Sequence, residues 1–370
     1  MPSTKASTVQ ATSDNGTSSI SLENGKPATQ VEVNKIKRDF KKFLRPLQTG
    51  SITVRSSSVF FHNESQILPR DAQRSGSRLA SDILFLDGQY RDLVQAEINL
   101  IDLISLPQFK ALAAHKLPYI SLNPFRFEFP GIAEQKIVRA LDSDVFVALH
   151  HAKGNAADAA KGIKESIAYY GRQIVARSYS GDTQKAWPKK LRLGVPVVAG
   201  LTGSKLGQFD EHEFFGHFNL MTEEKGLLYV VQNTNGVNPQ VAFSDSLYAE
   251  YRKSIWHLLK TVAQDSSFDA TSPYYFPRRT ESGVEHTYIF DRATSVTIDG
   301  ECFPIPQNTV AVTGMDRRPA PDEITQKAKD ADMSVVRIDN RLDQTYAFWI
   351  KGRQFTPPVH EGFFCSPSPT

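Results

Sequence analysis

Between Asp210 and Asn219 the chain reads Asp-Glu-His-Glu-Phe-Phe-Gly-His-Phe-Asn, its sharpest local gathering of titratable side chains. Two imidazoles with a carboxylate beside the first could hold a divalent metal and activate water on it. That chemistry needs neutral nitrogen ligands and one base. Spacing decides whether the ligands can meet. On an α-helix, residues five apart sit about 140° round the axis, so a local bulge is needed to bring both rings to one ion. On a strand, His212 and His217 point to opposite faces. The flanking Phe214, Phe215 and Phe218 suit a metal-free β-hairpin as well, so the sequence leaves helix and strand open.

The string His212-Glu213-Phe214-Phe215-Gly216-His217 resembles the HExxGH signature of the dipeptidyl peptidase III family. The resemblance implies zinc bound by His212 and His217, and water activated by Glu213. It also implies a third ligand on a following helix, for which Glu250 is the nearest glutamate. The likeness covers six residues. That family's downstream glutamate cluster is absent, and Glu250 stands alone in Tyr248-Ala249-Glu250-Tyr251. A metal-assisted hydrolase is the first functional expectation.

Glu211-His212-Glu213 is also similar to the active-site glutamate motif of ADP-ribosyltransferases. With Arg126 on an earlier strand and Ser178 in Ser178-Tyr179-Ser180 between, that resemblance implies an NAD site. Arg126 would hold the phosphates bidentately and Glu213 would stabilise an oxocarbenium-like ribose. A transferase acting on NAD, or on an activated small molecule, is therefore the second expectation. A non-catalytic effector, coat or scaffold protein acting by binding is the third.

Lesser features have plainer readings. Gly200-Leu201-Thr202-Gly203-Ser204-Lys205 follows a strand and could cradle a phosphate through its N–H groups, but it lacks the Gly-Lys-Ser/Thr ending of a P-loop. His150-His151 closes a buried strand, where α/β sheets tend to gather catalytic groups. Neither Cys302 nor Cys365 has the setting of a nucleophile.

The elements that must position these groups point to an α/β fold, α+β overall. A central mixed sheet with helices is expected in the first half, and largely antiparallel β in the C-terminal third. Residues 1–33, rich in Ser, Thr, Asn and Gly, are expected to be a disordered arm. An α/β part spans 34–205. A β-rich part spans 206–358, with one long helix at 247–262, packed on the first as one unit; a flexible tail spans 359–370. Within the first part, a short basic helix runs from Lys35 to Leu44 and a strand from Ser51 to Phe61. A helix from Tyr90 to Leu106 stops at Pro107. The Ala/Lys-rich helix from Ala156 to Ala168 continues through Gly171 towards Arg177. In the second part, Asp299-Gly300 between two β-prone runs signals a hairpin.

Composition narrows the partners. Forty-three basic against 40 acidic residues give a net charge of +3, without the basic excess a nucleic-acid binder shows. The basic run from Lys35 to Arg45 reads as the solvated face of a docking helix. A small-molecule or peptide substrate is expected, with zinc as cofactor and NAD as the alternative. Two cysteines point to a reducing compartment. No run approaches ~18 apolar residues, so no membrane span is expected. A cytoplasmic protein, or one delivered there by a non-classical route, fits these features; oligomeric state is left open.

Overall fold

The computed structural model describes residues 30–49, 97–122, 132–150, 153–180, 193–203, 205–233, 254–264, 268–280, 283–340 and 345–356. Arg126, Glu250, Cys365 and the expected strand from Ser51 to Phe61 lie outside them.

In chain order the elements are α1 (Gln30–Leu47), α2 (Leu106–Ala111), β1 (Tyr119–Leu122), α3 (Ile132–Ala140), β2 (Val145–His150), α4 (Lys153–Tyr169) and β3 (Val175–Ser180). Then come β4 (Val197–Leu201), α5 (Glu211–Met221), β5 (Gly226–Asn233), α6 (Ser254–Val262) and the strands β6 (Pro273–Thr280), β7 (Gly283–Phe290), β8 (Thr294–Ile298), β9 (Glu301–Ile305) and β10 (Val310–Arg317). The chain ends its regular structure with α7 (Pro321–Asp330), β11 (Met333–Asn340) and β12 (Thr345–Gly352).

Seven strands form one mixed sheet in the order β11-β12-β5-β4-β1-β2-β3. The five from β5 to β3 run parallel, and β12 is antiparallel to both of its neighbours. Strands from either side of residue 205 thus share this sheet. Because β1 lies inside it, the chain first adds strands on one side, β2 and β3, and then crosses to the other, β4 and β5. Such a reversal leaves a crevice at the carboxyl ends of the two innermost strands, here β1 and β4.

Alternation along the strands sends residues to two covered faces. On one face Tyr119, Phe146, Ala148, Val198, Tyr229 and Trp349 pack under α2, α3 and α4. On the other, Ile120, Val147, Ala199, Val230 and Phe348 pack under α5 and α7. Burial on both sides explains why β1, β2 and β4 read as continuous apolar runs.

The antiparallel β expected in the C-terminal third is present. Part of it is the β11–β12 hairpin of the main sheet. The rest is an inserted module between β5 and α7, comprising α6, the sheet β10-β7-β6 and the hairpin β8-β9. Its core joins Trp256, Tyr288, Phe290 and Phe303 to Ile36, Phe40, Phe43 and Leu44 of α1. The basic face of α1 is held by acids of the β8–β9 turn. Lys37 and Lys41 pair with Asp299 at 2.8 and 3.2 Å, and Arg45 with Glu301 at 3.2 Å. Asp299 and Gly300 take φ of 52° and 77°, as a two-residue hairpin turn demands.

Three boundaries differ from expectation. Helix α1 begins at Gln30, inside the segment 1–33. The helical segment before Pro107 does not stop there, because a π-turn at Ile101–Ser105 widens the helix and places Pro107 in the first turn of α2, where no N–H donor is required. Helix α4 ends at Tyr169, and Val175–Ser180 is strand, not helix. Here pairing with β2 overrides the helical composition.

Candidate functional site

The segment that dominated the sequence is a regular α-helix. Asp210 caps α5, its Oδ1 accepting the Glu213 N–H at 3.1 Å. Buried Glu211, Phe214, Phe215 and Phe218 form the inward stripe at spacings of three and four. His212 and Glu213 face outward and are exposed, while His217 is half-buried. With no bulge in α5, the two imidazoles stand about 140° apart round its axis. Among the described residues no three His, Cys, Asp or Glu side chains gather as a metal site. The two expected zinc ligands His212 and His217 are thus held on different sides of a regular helix, the expected base Glu213 is exposed beside His212, and the third expected ligand, Glu250, lies outside the described residues; the β-hairpin alternative is corrected by the helix itself.

Of the expected NAD constellation, Arg126 lies outside the described residues, and Ser178 and Glu213 stand apart. Ser178 is exposed on β3, the edge strand. It shares a face with Ala176, which packs under the helices of the first face, whereas Glu213 rides on α5 over the opposite face. The sheet stands between them.

What the fold does bring together lies at the carboxyl ends of β1 and β4. Ser121 on β1 donates its hydroxyl to Glu134 Oε1 at 3.2 Å, and Thr202, just past β4, donates to the same oxygen at 3.1 Å. Glu134 comes from the first turn of α3. Glu97, on the helical turn before Ile101, accepts the Gly203 N–H at 2.8 Å. Glu97, Ser121, Glu134 and Thr202 are all buried. The loop donors that could have cradled a phosphate thus point inward to carboxylates.

Beneath this layer, Gly200 lies between two phenols. Tyr229 donates to Ser105 Oγ at 2.9 Å. The Tyr119 ring leans along its strand so that a Cβ at position 200 would sit 2.0 Å from its hydroxyl. Burial, reinforced by the charges of Glu134, Tyr229 and Glu97, pushes the Tyr119 pKa well above the usual tyrosine value. Burial likewise raises that of Tyr229. Both phenols stay protonated at neutral pH.

Sequence reasoning missed Glu134, because an acid in the first turn of a helix normally faces solvent and serves the helix dipole. It did mark Thr202 and Gly203, as part of a loop that could cradle a phosphate, whereas they donate to Glu134 and Glu97. His150, at the carboxyl end of β2, is buried as expected of a strand end.

No protein-family model matches the chain, and no curated protein does. Among solved structures, similar chains include an S-adenosylmethionine-dependent methyltransferase from Clostridium acetobutylicum, 11% identical, with TM-score 0.35, covering 71% of this chain and 99% of that one. Two others are the mitomycin 7-O-methyltransferase MmcR (11%, TM-score 0.33, 74% of this chain) and an O-methyltransferase family protein from Burkholderia thailandensis (14%, TM-score 0.36, 72%). This chain spans 60% of the length of each of the latter two. Overlays at such TM-scores carry no inference about activity.

Proposed function

We propose that the chain is a group transferase whose donor is a cationic nucleoside bound at the β1/β4 crevice, with S-adenosylmethionine as donor and methyl as the group moved. The observation that carries this reading is Glu134. It is 5% exposed at the switch point of a doubly wound sheet, and no basic side chain among the described residues pairs with it. A carboxylate so placed favours a cationic partner, since an unpaired buried charge is costly.

Two features separate this donor from NAD. A dinucleotide pyrophosphate needs a glycine-rich turn between β1 and the next helix, and the segment here, Asn123 to Gly131, holds one glycine. The anionic pyrophosphate would also lie beside Glu97 and Glu134. S-adenosylmethionine carries a sulfonium and an ammonium and no phosphate, so both objections vanish. When bound, it supplies an electrophilic methyl group. Glu134 would accept a hydrogen bond from its ammonium or a sugar hydroxyl. Ser121 and Thr202 fix the carboxylate, and Glu97 shapes the turn at Gly203.

Calorimetric titration of the full chain tests the reading. S-adenosylmethionine should bind and NAD should not, and Glu134→Gln should weaken binding by about tenfold or more, the loss of one charge-assisted contact. Binding of NAD in preference, no binding of either ligand, or an unchanged affinity in the variant would overturn it.

A further inference from the structure

The two phenols flanking Gly200 differ in one respect. Tyr229 spends its hydroxyl on Ser105. Tyr119 is fully buried, and its hydroxyl has no hydrogen-bond partner among the described residues. Buried hydroxyls without partners are rare, because the group forfeits its bonds to water and gains nothing in return. The chain nevertheless keeps a glycine at position 200, where any Cβ would strike the Tyr119 hydroxyl at 2.0 Å and its Cζ at 2.9 Å. Strand β4 has thus given up a side chain in a packed core to admit this polar atom. The hydroxyl lies on the same face of the sheet as Ser121 and Thr202, whose hydroxyls hold Glu134.

We propose that Tyr119 is a specificity-determining residue of the crevice, its hydroxyl donating a hydrogen bond to an uncharged acceptor on the bound donor, such as a ring nitrogen or a sugar oxygen. An uncharged acceptor is specified because Glu97 and Glu134 stand close by and would oppose a second anion. The inner end of the site then reads a ligand with two kinds of group. Glu134 takes a cationic or hydroxyl donor, and Tyr119 takes a neutral acceptor. This inference rests on the donor site proposed above.

The test uses the full chain and S-adenosylmethionine as the probe. Tyr119→Phe, which keeps the ring and removes the hydroxyl, should weaken binding by about tenfold and leave the melting temperature unchanged or higher. Tyr229→Phe, which removes a hydroxyl already bonded to Ser105, should lower the melting temperature and leave affinity within about twofold. Undiminished affinity in Tyr119→Phe overturns the assignment while leaving the donor site standing. Absence of binding by the unsubstituted chain overturns both. Should Tyr119→Phe fail to fold, tyrosines labelled with ¹³C at Cζ in the unsubstituted chain give the answer. One buried resonance should shift when S-adenosylmethionine is added, and no shift would overturn the proposal.

Discussion

Arg317, the last residue of β10, closes an ion pair on Glu211, the first residue of α5, across 106 positions of sequence. Its second nitrogen bonds Glu323 in the first turn of α7. One guanidinium therefore ties the inserted module to the starts of two helices of the main body. Glu211 is 1% exposed, and its other oxygen has no partner among the described residues. Arg317→Met should destabilise the chain by about 2–3 kcal/mol at neutral pH, since it strands a buried carboxylate. Chemical denaturation measures this directly, and an effect within experimental error would show the pair to be dispensable.

Burial raises the Glu211 pKa above the usual carboxylate range, against the opposing effects of its own backbone hydrogen bond and Arg317. The folded chain then holds this proton to higher pH than the unfolded chain does. Stability from this group is accordingly full below the unfolded pKa and is lost as pH rises through the folded one. Relative to Glu211→Gln, which does not titrate, the unsubstituted chain should lose melting temperature as pH rises above the usual glutamate range of about 4. A difference that grows in the opposite direction would contradict the assignment.

Asp299 behaves with the opposite sign. Hydrogen bonding to Lys37 first, and then to Lys41, lowers its pKa, so its contribution is present above the unfolded pKa and is lost as pH falls through the folded one. Asp299→Asn keeps a residue tolerant of positive φ while removing the charge. Because the carboxylate is 45% exposed, the loss should stay below about 1 kcal/mol and shrink in high salt. Melting curves at two ionic strengths check both statements.

Position 207 leaves no room for a side chain. A Cβ on Gly207 would meet the Arg317 carbonyl oxygen at 1.8 Å, at the joint between the inserted module and the main body. Gly207→Ala should cost about 1–3 kcal/mol through forced backbone displacement. By contrast, Gly216→Ala, where nothing lies within 4 Å among the described residues, should stabilise α5 by up to about 1 kcal/mol. Equilibrium unfolding of the pair ranks them, and equal effects would remove the steric argument.

The helix cap gives a further contrast. Asp210→Ala should lose about 1 kcal/mol. His212→Ala and Glu213→Gln, on the exposed face of α5, should change stability by less than about 0.5 kcal/mol. All three should leave S-adenosylmethionine binding intact and zinc content unaltered. A tenfold loss of binding in Glu213→Gln would return that carboxylate to the site.

Much of the sheet was readable because its strands are buried on both faces. The runs Asp144 to Leu149 and Leu227 to Gln232 read as strands from sequence, and they emerge, shifted or extended by one residue at each end, as β2 and β5. The Asp299-Gly300 turn was legible from its own chemistry. The site was not. Asp210-Glu211-His212-Glu213 carries a capping pattern, an acid at the N-cap with another three residues on, and the chemical look of His and Glu masked that structural role. Glu134 joined Ser121 and Thr202 only through contacts 13 and 68 positions apart, which no local spacing encodes. Tyr119 looked like one more aromatic residue at the start of a strand. Its orphan hydroxyl exists only because a glycine on the neighbouring strand lets it through.

The placement of β12 has a consequence for synthesis. Strand β5 pairs with β4 on one side, and on the other with β12, which leaves the ribosome more than 100 residues later. Until Thr345–Gly352 emerges, β5 offers Leu228, Val230 and its unsatisfied backbone to any passing strand. The inserted module, with its own aromatic core, is made during that interval. A nascent chain truncated before β11 should hold a folded module beside an incomplete, sticky sheet, and release from that state is set by the arrival of β11 and β12.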